Sequence, residues 1–362
     1  MKKIKTFEDL NSEIIEKDMC NNCGACVAVC HAMDINALII ENSRPQYVSV
    51  TEEHKECLEC GICYLICGQA PDLNHDIETL YAATYPIGTY KYLSIAKTTS
   101  PEIQEKAQDG GIVTSILKYL FDKHLIDGAV VNKDLGNCES IPYLISSTDD
   151  LLDTAGTRFS NVPSVQELGK YRPILNKKNP RLAFVGTPCQ VKTIRKMQLL
   201  SAKPGIYVKY LIGLFCMENY DYTKLYKQKL ENDMQIDLST IKKVTIKGKF
   251  IIILKDGQKI EIPLHDLDDY VRNNCHYCTY YTNRYADISV GGAGVPEGYS
   301  VVLVRTKVGA DLFTKLLFEK QIGELSGKEV HMAKKVALEK LIKLKEFKFH
   351  KGSEKIKELL NL

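Results

Sequence analysis

CNNCGACVAVC at residues 20–30 and CLECGICYLIC at residues 57–67 are two copies of one pattern, C-x2-C-x2-C-x3-C. Three thiols of each copy (Cys20, Cys23 and Cys26; Cys57, Cys60 and Cys63) fall on a tight loop, and the fourth, Cys30 or Cys67, on a short following helix. Gly24 and Gly61 let each loop close around an inorganic core. Zinc takes four ligands per site in two-plus-two spacing. A run of four thiols at this spacing instead serves an iron–sulfur cluster and lends its fourth cysteine to the neighbouring cluster. The spacing therefore predicts one 4Fe–4S site from Cys20, Cys23, Cys26 and Cys67, and a second from Cys57, Cys60, Cys63 and Cys30.

This is the arrangement of a bacterial-type dicluster ferredoxin domain, and we assign it to residues 1–85. Proline usually follows the fourth cysteine of such a run. Here His31 and Gly68 follow, so the local turn is expected to differ, and His31 reads as a surface histidine.

The 362 residues are 44% hydrophobic and 26% charged, which suits a globular chain of two or three domains. No run reaches the roughly 18–20 apolar residues of a spanning helix. The start, MKKIKTFEDLNSEIIEKD, lacks the apolar core of a secretory signal. Thirteen cysteines then point to a reducing compartment and to metal rather than disulfides. The expected location is the cytoplasm, or the cytoplasmic face of a membrane complex. Residues 1–85 hold six basic and fourteen acidic residues, and the remainder 42 basic and 31 acidic. An acidic head on a basic body suggests two modules with different partners. No helix–turn–helix, zinc-finger or RNA-recognition motif supports a nucleic-acid partner.

Beyond a linker at PIGTY (86–90), YLSIAKTT reads as a strand, GGIVTSILKYLFDKHL as a helix and GAVV as the next strand. The glycine turn feeding that helix has two readings: an anion seat through free backbone N–H groups, or a turn that permits close packing. No G-x-G-x-x-G is present. RLAFVGTPCQ and YLIGLFC are strands that end near Cys189 and Cys216, and NNCHYC supplies Cys275 and Cys278. These four thiols suffice for one further cluster if the fold gathers them. Cys138 is left as a buried or incidental thiol. Residues 244–263 read as a β-hairpin turning at Asp256 and Gly257, and ADISVGGAGVPEGYSVVLVRT as two strands around a glycine-rich turn. From about Leu325 the chain is a Lys-rich helix with an apolar face of Val336, Leu341 and Leu344.

GGIVTSILKYLFDKHLIDG, GTPCQV, GLFCME, NNCHYC, ADISVGG and VVLVRT, in that order, resemble the family of coenzyme F420-reducing hydrogenase beta subunits. With a dicluster head in front, the chain also resembles the F420H2 dehydrogenase subunit of archaeal methanogens and the electron-input half of F420-dependent sulfite reductase. The resemblance implies an α/β (α+β) flavin-binding body over 86–310 (parts 86–175 and 176–310), followed by a C-terminal helical segment, 311–362. It implies FAD, a third 4Fe–4S cluster on Cys189, Cys216, Cys275 and Cys278, and coenzyme F420 as substrate. Asp109, Gly110, Gly111 and Thr114 would lie on the FAD, as would the turn at Gly291 and Gly292. Hydrogenase and formate dehydrogenase beta subunits carry GNWG where this chain has GGAG, so the cover over the flavin is expected to differ.

The resulting expectation is an oxidoreductase subunit that exchanges a hydride between reduced F420 and FAD. Single electrons then pass through three clusters to a partner enzyme. That partner is a membrane F420H2 dehydrogenase complex, a sulfite reductase, a glutamate synthase, a hydrogenase or a formate dehydrogenase. Lys97, Arg158, Lys192 and Arg195 are either contacts for the anionic F420 tail or solvated surface. Two other readings stay open: a ferredoxin-linked flavin reductase of another organic substrate, and a relay without catalytic flavin.

Overall fold

The protein is described by a computed structural model over residues 4–51, 55–81 and 86–360. The expected domain boundary at residue 85 and the lysines of the start, Lys2 and Lys3, lie outside the described residues. In the head, Gly24 (φ +80°) and Gly61 (φ +71°) adopt the left-handed conformation that side chains resist, each directly before a short helix, Ala25–Ala32 and Ile62–Leu65. A two-stranded hairpin, β1 (Leu38–Glu41) with β2 (Arg44–Tyr47), lies between the two cysteine runs.

The body is built on an eight-stranded mixed sheet. Its strands are β3 (Tyr92–Thr98), β4 (Gly128–Gly136), β5 (Glu139–Ile145), β6 (Leu182–Gly186), β7 (Val208–Leu214), β11 (Ile288–Gly291), β12 (Ser300–Val304) and β13 (Ile322–Glu324). The order is β13-β3-β12-β11-β7-β6-β4-β5. Neighbours β4, β6, β7 and β11 run parallel, and antiparallel strands flank them on both sides. The parallel strands are apolar where both faces are covered, as in LAFVG of β6 and GAVV of β4, whereas β4 runs on past Val131 into half-buried Asn132 and Lys133 and exposed Asp134. Between β7 and β11 the chain makes a three-stranded sheet of β8 (Ile241–Ile246), β9 (Lys249–Leu254) and β10 (Lys259–Pro263).

Three details differ from the sequence reading. The hairpin at 244–263 gains a strand, β8, because Gly248 (φ +76°) makes a second tight turn ahead of the one at Gly257. The stretch 311–362 is not all helix: between helices Lys307–Phe318 and Val330–Leu360, β13 pairs with the sheet edge at β3. Val336 faces solvent; the face that packs is Ala337, Leu341 and Leu344.

The head and body share one core. Ala25, Val29, Ala32, Ile66 and Ile77 of the head pack with Phe184, Val191, Ile194 and Met197 of the body. Helix Pro188–Leu199 lies at this junction. Pro188 begins it, and Thr187 caps it reciprocally with Gln190, whose side-chain oxygen accepts the Thr187 N–H at 3.0 Å. Almost every residue of that helix from Pro188 to Met197 is buried, polar ones included.

Candidate functional site

Twelve of the thirteen cysteines stand in three sets of four. Cys20 faces Cys67, Cys23 faces both of these, and Cys26 faces Cys23, Cys20 and Cys67 electrostatically. Cys30 faces Cys57 and Cys60, while Cys63 faces Cys60, Cys57 and Cys30. In the body, Cys216 faces Cys275, Cys189 and Cys278. The sets adjoin in a row: Cys23 faces Cys189 of the body, and Cys26 faces Cys63 of the outer head set. Cys60, at the far end of the row, is exposed.

Burial is the first influence on these thiols. It pushes Cys20 up to about 11 and Cys63 and Cys275 up to about 12, and raises Cys23, Cys26 and Cys216 well above the ordinary thiol value. Buried thiols of this kind ionise when a compensating charge is supplied, and a coordinating metal centre deprotonates them outright. Backbone N–H groups already point at sulfur: Asn22 at Cys20 Sγ (3.4 Å), Ala37 at Cys30 Sγ (3.2 Å), Glu59 at Cys57 Sγ (3.4 Å) and Asn219 at Cys275 Sγ (3.4 Å). Soft donors gathered in fours and met by amide N–H groups suit an iron–sulfur group in kind. Among the described residues no group of three or more His, Cys, Asp or Glu is arranged to hold a single metal ion. Cys138, half-buried on the β4–β5 turn, stands apart, and burial pushes its thiol up to about 12.

The body set forms where parallel strands end. Cys189 is the second residue of helix Pro188–Leu199 after β6, with Thr187 Oγ1 3.2 Å from its sulfur. Cys216 follows β7 by two residues, and its N–H donates to the Tyr281 carbonyl at 3.0 Å. Cys275 and Cys278 belong to the short helix Asn273–His276 and the turn after it. Carboxyl ends of parallel strands are where open α/β sheets bind ligands. The C-terminal helix Val330–Leu360 covers this set. Lys348 Nζ donates to the Cys275 carbonyl at 2.7 Å, and a Cβ at Gly352 would stand 2.7 Å from the Cys278 carbonyl oxygen. Burial opposes the charge on Lys348, yet Cys278, Cys275, Cys216 and Glu218 outweigh it and raise its pKa.

The head–body junction explains the missing proline. A Cβ at Gly68 would come within 2.7 Å of Thr193 Oγ1 and 3.1 Å of the Cys189 carbonyl, so helix Pro188–Leu199 leaves no room for a ring. Lys192 donates to the Gly68 carbonyl (2.8 Å) and the Tyr280 hydroxyl (2.9 Å). Lys196 donates to the carbonyls of Cys67 (2.7 Å) and Ala70 (2.8 Å). The Asn21 side-chain oxygen accepts the Cys23 N–H at 3.3 Å. His31, half-buried, sits beside Gly169 of the body.

These positions correct the expected anion contacts. Lys192 and Arg195 are neither tail contacts nor solvated surface: both are buried, and Arg195 pairs with Asp287 at 2.9 Å. Arg158 is taken by Asp134 (2.7 Å) and the Ala155 carbonyl. Lys97 alone of the four borders a cleft, with its ammonium 4.9 Å from the centre of the Tyr299 ring. The buried lysines were missed because a basic residue in a helix ordinarily marks the wet face.

The glycine-turn residues meet at the same end of the sheet. Gly111 (φ +68°) precedes helix Ile112–Asp122, which carries the buried Thr114. A Cβ at Gly110 would stand 2.5 Å from the Ala96 carbonyl, so close packing explains that glycine. The Asp109 carboxylate touches Gly292, and the Phe215 ring, next in sequence to Cys216, fills the side-chain position of Gly291. Burial raises the Asp109 carboxyl against the pull of Lys243 and Lys247. Nearby, Gln104 Nε2 donates to the Asp109 carbonyl at 2.9 Å and leaves its buried Oε1 unpartnered among the described residues. Gln104, Lys97, Ser100 and Tyr299 line a cleft of about 380 Å³. Half-buried glycine backbone at Gly111, Gly291 and Gly292, an unpartnered acceptor and a lysine suit a dinucleotide in kind.

The described geometry has counterparts elsewhere. Residues 94–168 match the family described as coenzyme F420 hydrogenase/dehydrogenase, beta subunit N-term, and residues 179–329 match its C terminus. An F(420)H(2) dehydrogenase subunit of Methanosarcina mazei is 32% identical over 94% of this chain and 97% of its own. The beta subunit of coenzyme F420 hydrogenase from Methanothermobacter thermautotrophicus is 35% identical over 75% of this chain and 97% of its own. A chain of the F420-reducing [NiFe] hydrogenase complex from Methanosarcina barkeri superposes with a TM-score of 0.69, at 31% identity, covering 75% of this chain and 93% of that one. With both halves of the family pattern in order on the sheet just described, the chain belongs to the family of coenzyme F420 hydrogenase/dehydrogenase beta subunits.

Proposed function

We propose that this chain oxidises reduced coenzyme F420 on FAD and passes the electrons singly through three 4Fe–4S clusters to a partner enzyme in the reducing cytoplasm. The observation that carries the reading is the row of three cysteine sets, which starts one residue from Phe215 beneath the glycine turn and ends at exposed Cys60. A bound flavin supplies the conversion of a two-electron hydride into single electrons, which clusters accept. Cys189, Cys216, Cys275 and Cys278 would hold the body cluster, and the head sets the other two. Asp109, Gly110, Gly111, Thr114, Gly291 and Gly292 would line the FAD, and Lys97 at the cleft would meet an anionic group. Phe215 and Tyr281, with ring centres 5.8 Å apart, keep water from the space between the glycine turn and Cys216. No helix among the described residues is long and apolar enough to cross a membrane.

The test is anaerobic purification, reconstitution with FAD, iron and sulfide, and mixing with reduced F420 and a viologen. Flavin-dependent return of oxidised F420 absorbance is expected. Intact flavin and clusters with no F420 turnover would refute the reading and favour a ferredoxin-linked reductase of another substrate.

A further inference from the structure

The family pattern ends at residue 329, and the 31-residue helix Val330–Leu360 follows it. This helix sends Lys348 into the protein, to a position only 2% exposed. Its ammonium donates to the Cys275 carbonyl at 2.7 Å. The groups facing it are the thiols of Cys278, Cys275 and Cys216, negative once they hold a cluster, and the Glu218 carboxylate. A buried cation is retained where anions compensate it, and three of its four facing groups are thiols of the body set. Gly352, one turn on, lies so close to the Cys278 carbonyl that a side chain there would lift the helix away. Lys345 is buried too, but Arg284 opposes its charge as Cys278 supports it.

Building on the body cluster proposed above, we infer that Lys348 is a positioning residue of the relay, a buried counter-charge that makes the body cluster easier to reduce than it would otherwise be. One-electron reduction adds one negative charge to the cluster and its four thiolates, with the electron coming from reduced flavin. A fixed cation beside three of those thiolates stabilises the reduced form more than the oxidised one. At low local dielectric this effect is large and weakly screened by salt. The C-terminal helix thus biases the first iron–sulfur step in the forward direction.

The test uses the whole chain, purified anaerobically and reconstituted, with cluster midpoints read by EPR-monitored redox titration of wild type, K348M, K348Q and K348R. K348M is expected to make reduction of one cluster at least about tenfold less favourable, a 59 mV fall for a one-electron couple. The other two clusters should hold within a third of that change, and K348R should stay near wild type. Three unchanged midpoints in K348M, or three that fall together, would overturn the inference. If K348M does not load the body cluster, K348Q against K348R decides by the same criterion. About eight iron atoms per chain in the wild type, on four per cluster, would remove the body cluster itself. That failure is visible in the iron count before any titration.

Discussion

Gly68→Ala adds one methyl group at the joint between head and body. Its Cβ would stand 2.7 Å from Thr193 Oγ1 and 3.1 Å from the Cys189 carbonyl, where van der Waals contact begins near 3.4 Å. The backbone at Gly68 is outside the left-handed region, so the cost is packing and not strain. Overpacking of this kind costs about 1–3 kcal/mol, and with backbone on one side we expect about 2. Thr193→Ala alone removes the hydroxyl that donates to the Cys189 carbonyl at 3.1 Å, a loss of about 0.5–1.5 kcal/mol. The double variant relieves the closer of the two clashes and should be more stable than the sum predicts by at least about 0.5 kcal/mol. Anaerobic denaturant titrations, followed by circular dichroism and by visible cluster absorbance, give the four stabilities. Additivity within about 0.3–0.5 kcal/mol, or G68A as stable as wild type, would refute a close-packed joint.

Three further outcomes are expected. Asp287 accepts bonds from Arg195 (2.9 Å), Thr306 (2.6 Å) and the Leu211 N–H (2.8 Å). D287A strands a buried guanidinium and should lose about 3–5 kcal/mol in the same titrations, against under about 1 for removing the exposed partner of Lys118, Asp122. The hydrogen bond from Arg181, helped by Lys177, holds the Asp127 carboxyl well below the ordinary range. Its contribution is therefore present above the unfolded-state value near 4 and lost as pH falls through the folded one. Wild type should exceed D127N at pH 7 in a pH series of melts and converge with it in strong acid. C189S should lower bound iron by about four atoms per chain, measured by colorimetric iron assay, whereas C138S should leave it unchanged.

The grouping of the head cysteines could be read from spacing alone because they stand three and four residues apart. The body set could not, since Cys189, Cys216 and the Cys275–Cys278 pair meet only when β6 and β7 lie side by side. The strands themselves were legible: apolar stretches such as LAFVG and SVVLV have no other use at that length. What pattern reading missed is where polar residues go inside. Lys192, Lys196 and Lys348 look like surface until a second element supplies carbonyls and thiols for them. Edge strand β13 was missed because three residues carry too little periodicity to be seen. Gly68 in place of proline was the one visible sign of the joint.

On the relay proposed above, the joint would also fix what kind of carrier the head is. A free ferredoxin meets its donor by diffusion, and its reduction rate scales with concentration. Here Lys192 and Lys196 hold the loop around Cys67 and Gly68 on helix Pro188–Leu199. Donor and acceptor of the proposed relay would thus share one packed body at constant separation, a limiting case of effective concentration. Electrons crossing this joint should do so with first-order kinetics that neither dilution of the protein nor added salt changes, and only the step leaving Cys60 remains open to a second molecule.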